Sequence, residues 1–420
     1  MTTPELEHLA RRVRAASRTV ARAPGPVRDD ALRMAADLLD EEWATLLEAN
    51  RGDLARAASA GMAASAQDRL RLTEARVRAM AAGLRGVASL ADPVGEVLEG
   101  WVRPNGLRVS RVRVPLGVVG VIYENRPNVT SDAAGLCLKA GNAAFLRGSA
   151  SALDSNRAIV SLLRRAAGKA GLPEDAVALV EDTSHETAVA FMRLRGLIDC
   201  LIPRGGPALI ASLLEHATVP YVLDGDGNCH VYVDAGADLS MALDIVVNAK
   251  THRFGVCNAA ETILVHVAVA EAFVPMMASA LIAAGVELRG DERVRAILPE
   301  AQVAKAADET DFATEFLGPV VAVGVVDDLD GAVEHIARYS SGHSEAIVTG
   351  DLRAADRFVA EVDAAAVLVN ASTRFIDGEE LGLGAEVGIS TQKLHARGPM
   401  GVRELTSVKW VVRGDGQVRQ

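Results

Sequence analysis

The sequence predicts an α/β protein with two parallel-sheet domains and a small β ribbon. Three observations carry this. From Val118 onward, short β-branched apolar runs alternate with helical patterns, as parallel strands joined by covering helices do. These runs are too many for one small sheet, and 420 residues exceed one ordinary core. Residues 107–114 alternate through Leu107, Ser110, Val112 and Val114, the pattern of an exposed ribbon.

The chain opens with helical patterns at about 4–22, 27–49, 51–60 and 66–90, with Pro24, Gly25 and Pro26 as punctuation. Arginines in the first twenty-odd residues resemble a transit peptide, but Leu9, Val13, Ala16 and Val20 recur at helical spacing. Glu5 and Glu7 sit where a helix N-terminus favours acids, so an ordinary first helix is expected. After the ribbon, Val118–Tyr123 reads as a buried strand. Further strands are expected at 143–147, 176–180, 197–202, 219–223, 229–233, 261–266, 319–326, 345–349 and 365–369. Helices are expected at about 131–140, 152–170, 184–192, 206–216, 238–250, 268–284, 328–339 and 352–360. A last strand, Val408–Val412, follows a Gly-rich stretch and is free to pair with the 107–114 ribbon or with another subunit.

Half the residues are apolar and about a quarter charged, as in soluble globular proteins. A net charge of −11 argues against a nucleic-acid binder, which needs a basic face. No apolar run is long enough to span a membrane. Cys137, Cys200, Cys229 and Cys257 form no CxxC pair and the histidines show no metal-ligand spacing, so no metal site is expected; free thiols fit a reducing cytoplasm.

Three constellations carry chemistry. In Thr251–Ala259, Cys257 follows Arg253 and His252 by four and five residues, which favours a thiolate; an inert buried cysteine is the bland alternative. In Tyr123-Glu124-Asn125-Arg126-Pro127, Asn125 at a strand end suits an oxyanion donor, and equally a plain turn. In Pro203-Arg204-Gly205-Gly206-Pro207, two glycines before a helix suit a phosphate, and equally a strand–helix turn. Cys229 and His230 are neighbours on a strand, face opposite ways, and read as structural; Cys137 and Cys200 read as core.

The order of these motifs resembles the aldehyde dehydrogenase superfamily across nearly the whole chain. Asn125 and Pro127 match its N-x-P turn, and Gly141-Asn142 leads to Phe145-Leu146-Arg147 where the family has a ribose-contacting lysine. Gly205-Gly206 matches the helix-capping cofactor loop, Cys257 the nucleophile, and Glu315-Phe316-Leu317-Gly318-Pro319-Val320 the motif whose glutamate holds the nicotinamide ribose. Asp226–Tyr232, Ser341–Ile347 and Gly384–Pro399 are similar to one branch in particular, the γ-glutamyl phosphate reductases.

The resemblance implies two Rossmann-type domains and an oligomerisation flap: a cofactor domain at 1–228 with the ribbon about 107–114, a catalytic domain at 229–365, and a return segment with the oligomerisation strand at 366–420. It implies NADPH-dependent reduction of L-glutamyl 5-phosphate through a Cys257 thioester, with Asn125 as oxyanion donor and Arg147, Gly205, Gly206 and Glu315 at the cofactor. Arg374, His343, Lys393, His395 and Arg397 are candidates for the substrate's anionic groups. A homo-oligomer is implied, and a glutamate kinase as supplier of the labile acyl phosphate. Oxidative relatives carry a water-activating glutamate where Leu223 stands here, with Asp224 beside it. That departure favours reduction over the hydrolytic alternative, and the joint presence of Cys257, Asn125 and Glu315 disfavours a non-catalytic scaffold.

Overall fold

A computed structural model describes residues 1–299, 302 and 305–419. The chain divides into two compact units: residues 1–223 with 382–388 and 400–420, and residues 224–381 with 389–399.

The first unit opens with α1 (Thr3–Val20), α2 (Gly25–Glu41), α3 (Trp43–Ser59), α4 (Ala64–Leu70) and α5 (Glu74–Ser89). Three of the expected helices differ, and the one expected over 51–60 is the second half of α3, which runs unbroken through residue 50. The helix expected over 27–49 breaks at Glu42, which leaves helical geometry at φ −106° and ψ 18°. The helix expected over 66–90 breaks after Leu70. Buried Asn50 stabilises that second break, because its amide donates to the Leu70 carbonyl (2.9 Å) and accepts from the Leu72 N–H (2.7 Å). Backbone groups freed by a helix end need such partners. Thr73 then caps α5, its hydroxyl accepting from the Arg76 N–H.

A three-stranded antiparallel sheet has the order β1 (Val97–Val102), β2 (Arg108–Pro115), β16 (Thr406–Arg413). The ribbon thus pairs with the last strand within the chain, Arg108 opposite Arg413 and Pro115 opposite Thr406. The sequence reading missed β1, whose residues are exposed throughout and so show no alternation. Trp101 meets Trp410 edge to face at 5.6 Å.

The other sheet of this unit is parallel, in the order β5 (Val177–Leu179), β4 (Ala143–Arg147), β3 (Val118–Tyr123), β6 (Cys200–Arg204). Helices α6 (Asn128–Lys139), α7 (Leu153–Lys169), α8 (His185–Met192) and α9 (Pro207–His216) connect or follow its strands. β3 is buried along its whole length, as a central parallel strand requires. The strand expected at 219–223 is instead one isolated bridge, Leu201 to Tyr221. Pro220 has no N–H to extend a ladder, and residues 222–228 are irregular.

The second unit is a seven-stranded parallel sheet in the order β10 (Lys305–Ala306), β9 (Glu287–Gly290), β11 (Val320–Val326), β8 (Ala260–His266), β7 (Cys229–Val233), β12 (Ser344–Val348), β13 (Ala366–Val369). Its helices are α10 (Leu239–Thr251), α11 (Val267–Ala283), α12 (Glu292–Ile297), α13 (Glu309–Phe312), α14 (Leu329–Tyr339) and α15 (Leu352–Glu361). A short hairpin of β14 (Ile389–Ser390) and β15 (Gly398–Pro399) completes it. The sequence reading missed β9, a short strand in which only Leu288 and Gly290 are buried.

Packing where β3 leads toward Asn125 is close. A Cβ on Gly120 would lie 2.7 Å from Leu201, 3.1 Å from Phe191 and 3.2 Å from Ile198. Gly120→Ala is therefore expected to lower unfolding free energy by about 1–3 kcal/mol in urea denaturation, as overpacked cores do. A neutral or stabilising effect would contradict this packing.

Candidate active site

In the first unit, β3 ends at Tyr123 and Asn125 turns the chain at φ 39°, a left-handed conformation that asparagine tolerates. The Asn125 backbone N–H donates to Ser149 Oγ (3.3 Å), and its side-chain Oδ1 accepts from Ser149 (3.3 Å) and Ser151. Both serines therefore engage the carbonyl end of the amide. The Nδ2 donor is left without a hydrogen-bond partner among the described residues, as an oxyanion donor needs to be. Ser149 and Ser151 were missed from sequence; nothing in an S-x-S spacing announces a hydrogen bond to a residue 24 positions earlier.

Arg147 ends β4 and donates through Nη2 to the carbonyls of Thr183 (2.7 Å) and Ser184 (3.0 Å). Burial pushes its guanidinium pKa down, and Asp182 and Glu124 oppose that. Gly205 and Gly206 lie between β6 and α9, and the Gly206 N–H donates to Glu124 Oε2 at 3.0 Å. The start of α9 thus already holds an anionic oxygen, the charge a helix N-terminus favours.

In the second unit, Cys257 lies between α10 and β8 and is the only partly exposed cysteine; Cys137, Cys200 and Cys229 are buried. Burial raises the thiol pKa of all three, that of Cys200 to about 12. They are unsuited to react as thiolates. Gly227 stands against the nucleophile loop so closely that a Cβ there would fall 1.7 Å from the Cys257 carbonyl oxygen. Cys229 Sγ donates to that same oxygen (3.1 Å), and the Gly227 N–H donates to Glu315 Oε1 (2.9 Å). Burial raises the Glu315 pKa, with Asp226 and Asp224 adding to it.

A turn at Thr373–Phe375 is bolted to the same loop. Thr373 Oγ1 donates to the Asn258 carbonyl (2.7 Å), and Asn258 Nδ2 to the Ile376 carbonyl (2.8 Å). Arg374 Nε donates to His252 Nδ1 at 3.2 Å. Arg374 is half-buried, and burial lowers its pKa; Asp377 opposes this, Arg253 reinforces it, and Cys257 draws it back up. Arg374 and Arg253 therefore bring positive charge to the nucleophile loop, with His252 accepting a hydrogen bond from Arg374.

The other anion-binding candidates lie elsewhere. His343 is fully buried, with Nδ1 2.8 Å from Ser344 Oγ and 3.7 Å from Cys229 Sγ, and burial lowers its pKa to about 4. Lys393 and Arg397 both pair with Asp363, Arg397 at 2.8 Å. His395 sits between them, exposed, at φ 67°. Cys229 and His230 have different partners: His230 packs against Glu345 while Cys229 meets His343, and the strand register is irregular between the two.

Sequence inspection missed the ion pair behind this loop. Lys250 and Glu261 are both fully buried and meet at 2.5 Å, and Glu261 Oε1 accepts from the Leu317 N–H (3.2 Å). Burial pushes the Lys250 pKa down and that of Glu261 up to about 7. Each partner limits the other's shift. Eleven residues separate them, so no helical spacing marks the pair.

The chain matches the Aldehyde dehydrogenase family over residues 1–309 and 300–411. It belongs to that family. Its relatives include a gamma-glutamyl phosphate reductase of Caldanaerobacter subterraneus, 53% identical over 416 residues that cover 99% of this chain and all of the relative. The protein of that name from Moorella thermoacetica is 55% identical over 99% of both chains. The crystal structure of gamma-glutamyl phosphate reductase from Thermotoga maritima superposes with a TM-score of 0.95 at 47% identity, covering 98% of this chain and 99% of that one. Within the family, then, this chain falls among the γ-glutamyl phosphate reductases, and nicotinamide cofactors are the family's redox partners. No helix among the described residues is long and apolar enough to cross a membrane.

Two stability effects follow. Lys250→Met leaves a buried carboxylate unpaired and should cost about 3–5 kcal/mol in urea unfolding, whereas pairing it with Glu261→Leu should recover most of that loss. His343 has a folded pKa near 4, below its ordinary 6.5, so its contribution holds above pH 6.5 and is lost as pH falls toward 4. Between pH 7 and pH 5, His343→Asn should lose roughly 2 kcal/mol less stability than the parent chain. Parallel stability–pH curves for the two proteins would contradict that account.

Proposed function

We propose that this chain reduces L-glutamyl 5-phosphate to L-glutamate 5-semialdehyde and phosphate with NADPH, through a thioester on Cys257, in cytoplasmic proline biosynthesis. Cys257 carries the reading: it is the accessible thiol, on a loop beside Arg253, His252 and Arg374, in a chain that shares about half its residues with reductases of that name.

The Cys257 thiolate attacks the acyl carbon, the bond to the phosphate oxygen breaks, and the carbonyl re-forms as a thioester. NADPH, when bound, supplies the hydride that converts this thioester to a hemithioacetal. Its collapse returns the thiol and releases the aldehyde. Each step places negative charge on the carbonyl oxygen, and Asn125 Nδ2 with the Cys257 backbone N–H are the proposed donors. Glu315 has one oxygen committed to Gly227, and its other oxygen suits a ribose hydroxyl. Arg147 and the Gly205-Gly206 turn are the proposed contacts in the first unit.

Arg374 is the proposed clamp for a substrate anion, with His343, Lys393, His395 and Arg397 as further candidates. Water exclusion matters as much as positioning, because hydrolysis of the thioester would waste the intermediate. Leu223 packs with the apolar core of the first unit, and Asp224 Oδ1 accepts from the Ile389 N–H (2.8 Å). Neither suits a water-activating base. The β1–β2–β16 sheet exposes Val97, Trp101, Val102, Trp410 and Val412, and is the proposed surface for homo-oligomer assembly. A glutamate kinase is the proposed supplier of the labile substrate.

The test runs the reaction in reverse. With glutamate 5-semialdehyde and NADP⁺, nicotinamide reduction should require inorganic phosphate, proceed more weakly with NAD⁺, and yield acyl phosphate. Equal rates without phosphate, with carboxylate as product, would assign a hydrolytic dehydrogenase instead. Cys257→Ala should lower kcat by roughly three orders of magnitude or more. Asn125→Ala should lower it by about 10²–10³-fold.

A further inference from the structure

Helix α6 starts three residues after Asn125, and every residue on it is buried except Asn128 and Asp132. These two are four apart, so they share one face. The Asp132 carboxylate accepts from Asn128 Nδ2 (3.0 Å) and Ser131 Oγ (3.3 Å). An ionised carboxylate has room for about four such bonds, which leaves capacity on both oxygens. No cationic side chain lies within ion-pair distance of it among the described residues, and Arg204 acts on it only from farther away.

Such a residue lacks a structural reason. It stands beyond the first turn of α6, where an acid would cap the helix, and aspartate is a weak former of helix interiors. Desolvation outweighs its two hydrogen bonds and pushes its pKa up to about 6. Ionised at neutral pH and partly withdrawn from water, the group is short of a cation. One oriented ammonium ligand would supply that charge and fill the open acceptor positions.

We infer that Asp132, oriented by Asn128 and Ser131, is a recognition site for a primary ammonium group of the substrate. This rests on the substrate proposed above, whose α-amino group is its only cationic centre. A single carboxylate with an amide neighbour suits an ammonium and offers too few ligands for a metal ion. Asp132 would then select the amino-acid substrate against aldehydes of the same length that lack the amine.

The experiment compares glutamate 5-semialdehyde with 5-oxopentanoate, its desamino analogue, in the phosphate- and NADP⁺-dependent direction. The parent enzyme should favour the amino substrate by roughly 10²-fold or more in kcat/KM, as sites built for a polar group do. Asp132→Asn should reduce that preference to less than about tenfold, with the loss confined to the amino substrate. Ring closure of the semialdehyde is a property of the substrate and cancels between enzymes. An equal loss on both substrates would overturn the assignment and leave Asp132 a structural residue. Calorimetric titration of the parent enzyme with L-glutamate and with glutarate needs no variant: tighter binding of glutamate is expected, and equal binding overturns the site. If neither aldehyde is oxidised in the presence of phosphate, the proposed reaction fails, while the titration still decides the ammonium site.

Discussion

No side chain fits between Gly227 and the Cys257 carbonyl, and the geometry of the second unit's reactive edge depends on that contact. With hydrogen at that position, the Gly227 backbone runs against the nucleophile loop and its N–H reaches Glu315. The same carbonyl accepts a hydrogen bond from the Cys229 thiol, so Gly227 and the first residue of β7 both bear on the loop. From the other side, Thr373 and Asn258 lock it to the turn that carries Arg374. A nucleophile on a loop is usually mobile. Here three hydrogen bonds to neighbouring segments restrict it, which is what near-contact attack on an acyl carbon requires.

Beneath that loop the protein keeps an amine and a carboxyl group, paired with each other, out of water. The Lys250–Glu261 pair spans the end of α10 and the strand after Cys257, and Glu261 also receives the Leu317 N–H. Leu317 takes a left-handed conformation at φ 50°, two residues after Glu315. The pair therefore links the helix before the nucleophile with the segment that carries Glu315. Buried ion pairs add little net stability, but removing one partner is costly, so such a pair enforces one arrangement of the chain.

The first unit solves a similar problem with neutral groups. Ser149 and Ser151 claim the carbonyl of Asn125, which orients the amide donor without any charge. Glu124, one residue earlier, lies at the start of α9 instead. Consecutive residues of one turn thus serve different ends: an anion at a helix terminus, and an amide donor that is the proposed partner of a transient oxyanion. Asp132, two turns along the same segment, extends that polar face with a carboxylate that the chain itself leaves unneutralised.

Much of this was legible in the sequence, because strand and helix periodicity report burial directly. The buried strand Val118–Tyr123 and most of the strand–helix alternation through residue 369 match the sequence expectation, apart from 219–223 and the short elements between residues 287 and 312, since parallel strands covered on both faces are continuously apolar. The positions of Cys257, Asn125, the Gly205-Gly206 turn and Glu315 were legible only as an ordered set of motifs. β1 was not legible, because a wholly exposed strand has no burial pattern, and 219–223 misled because an apolar run says nothing about whether a neighbour accepts its ladder. Which cysteine is accessible, that Lys393 and Arg397 share Asp363 while Arg374 faces His252, and that Lys250 is neutralised by Glu261 were decided by tertiary structure alone. Solvent exposure and charge pairing depend on residues distant in the chain, and local sequence carries no record of them.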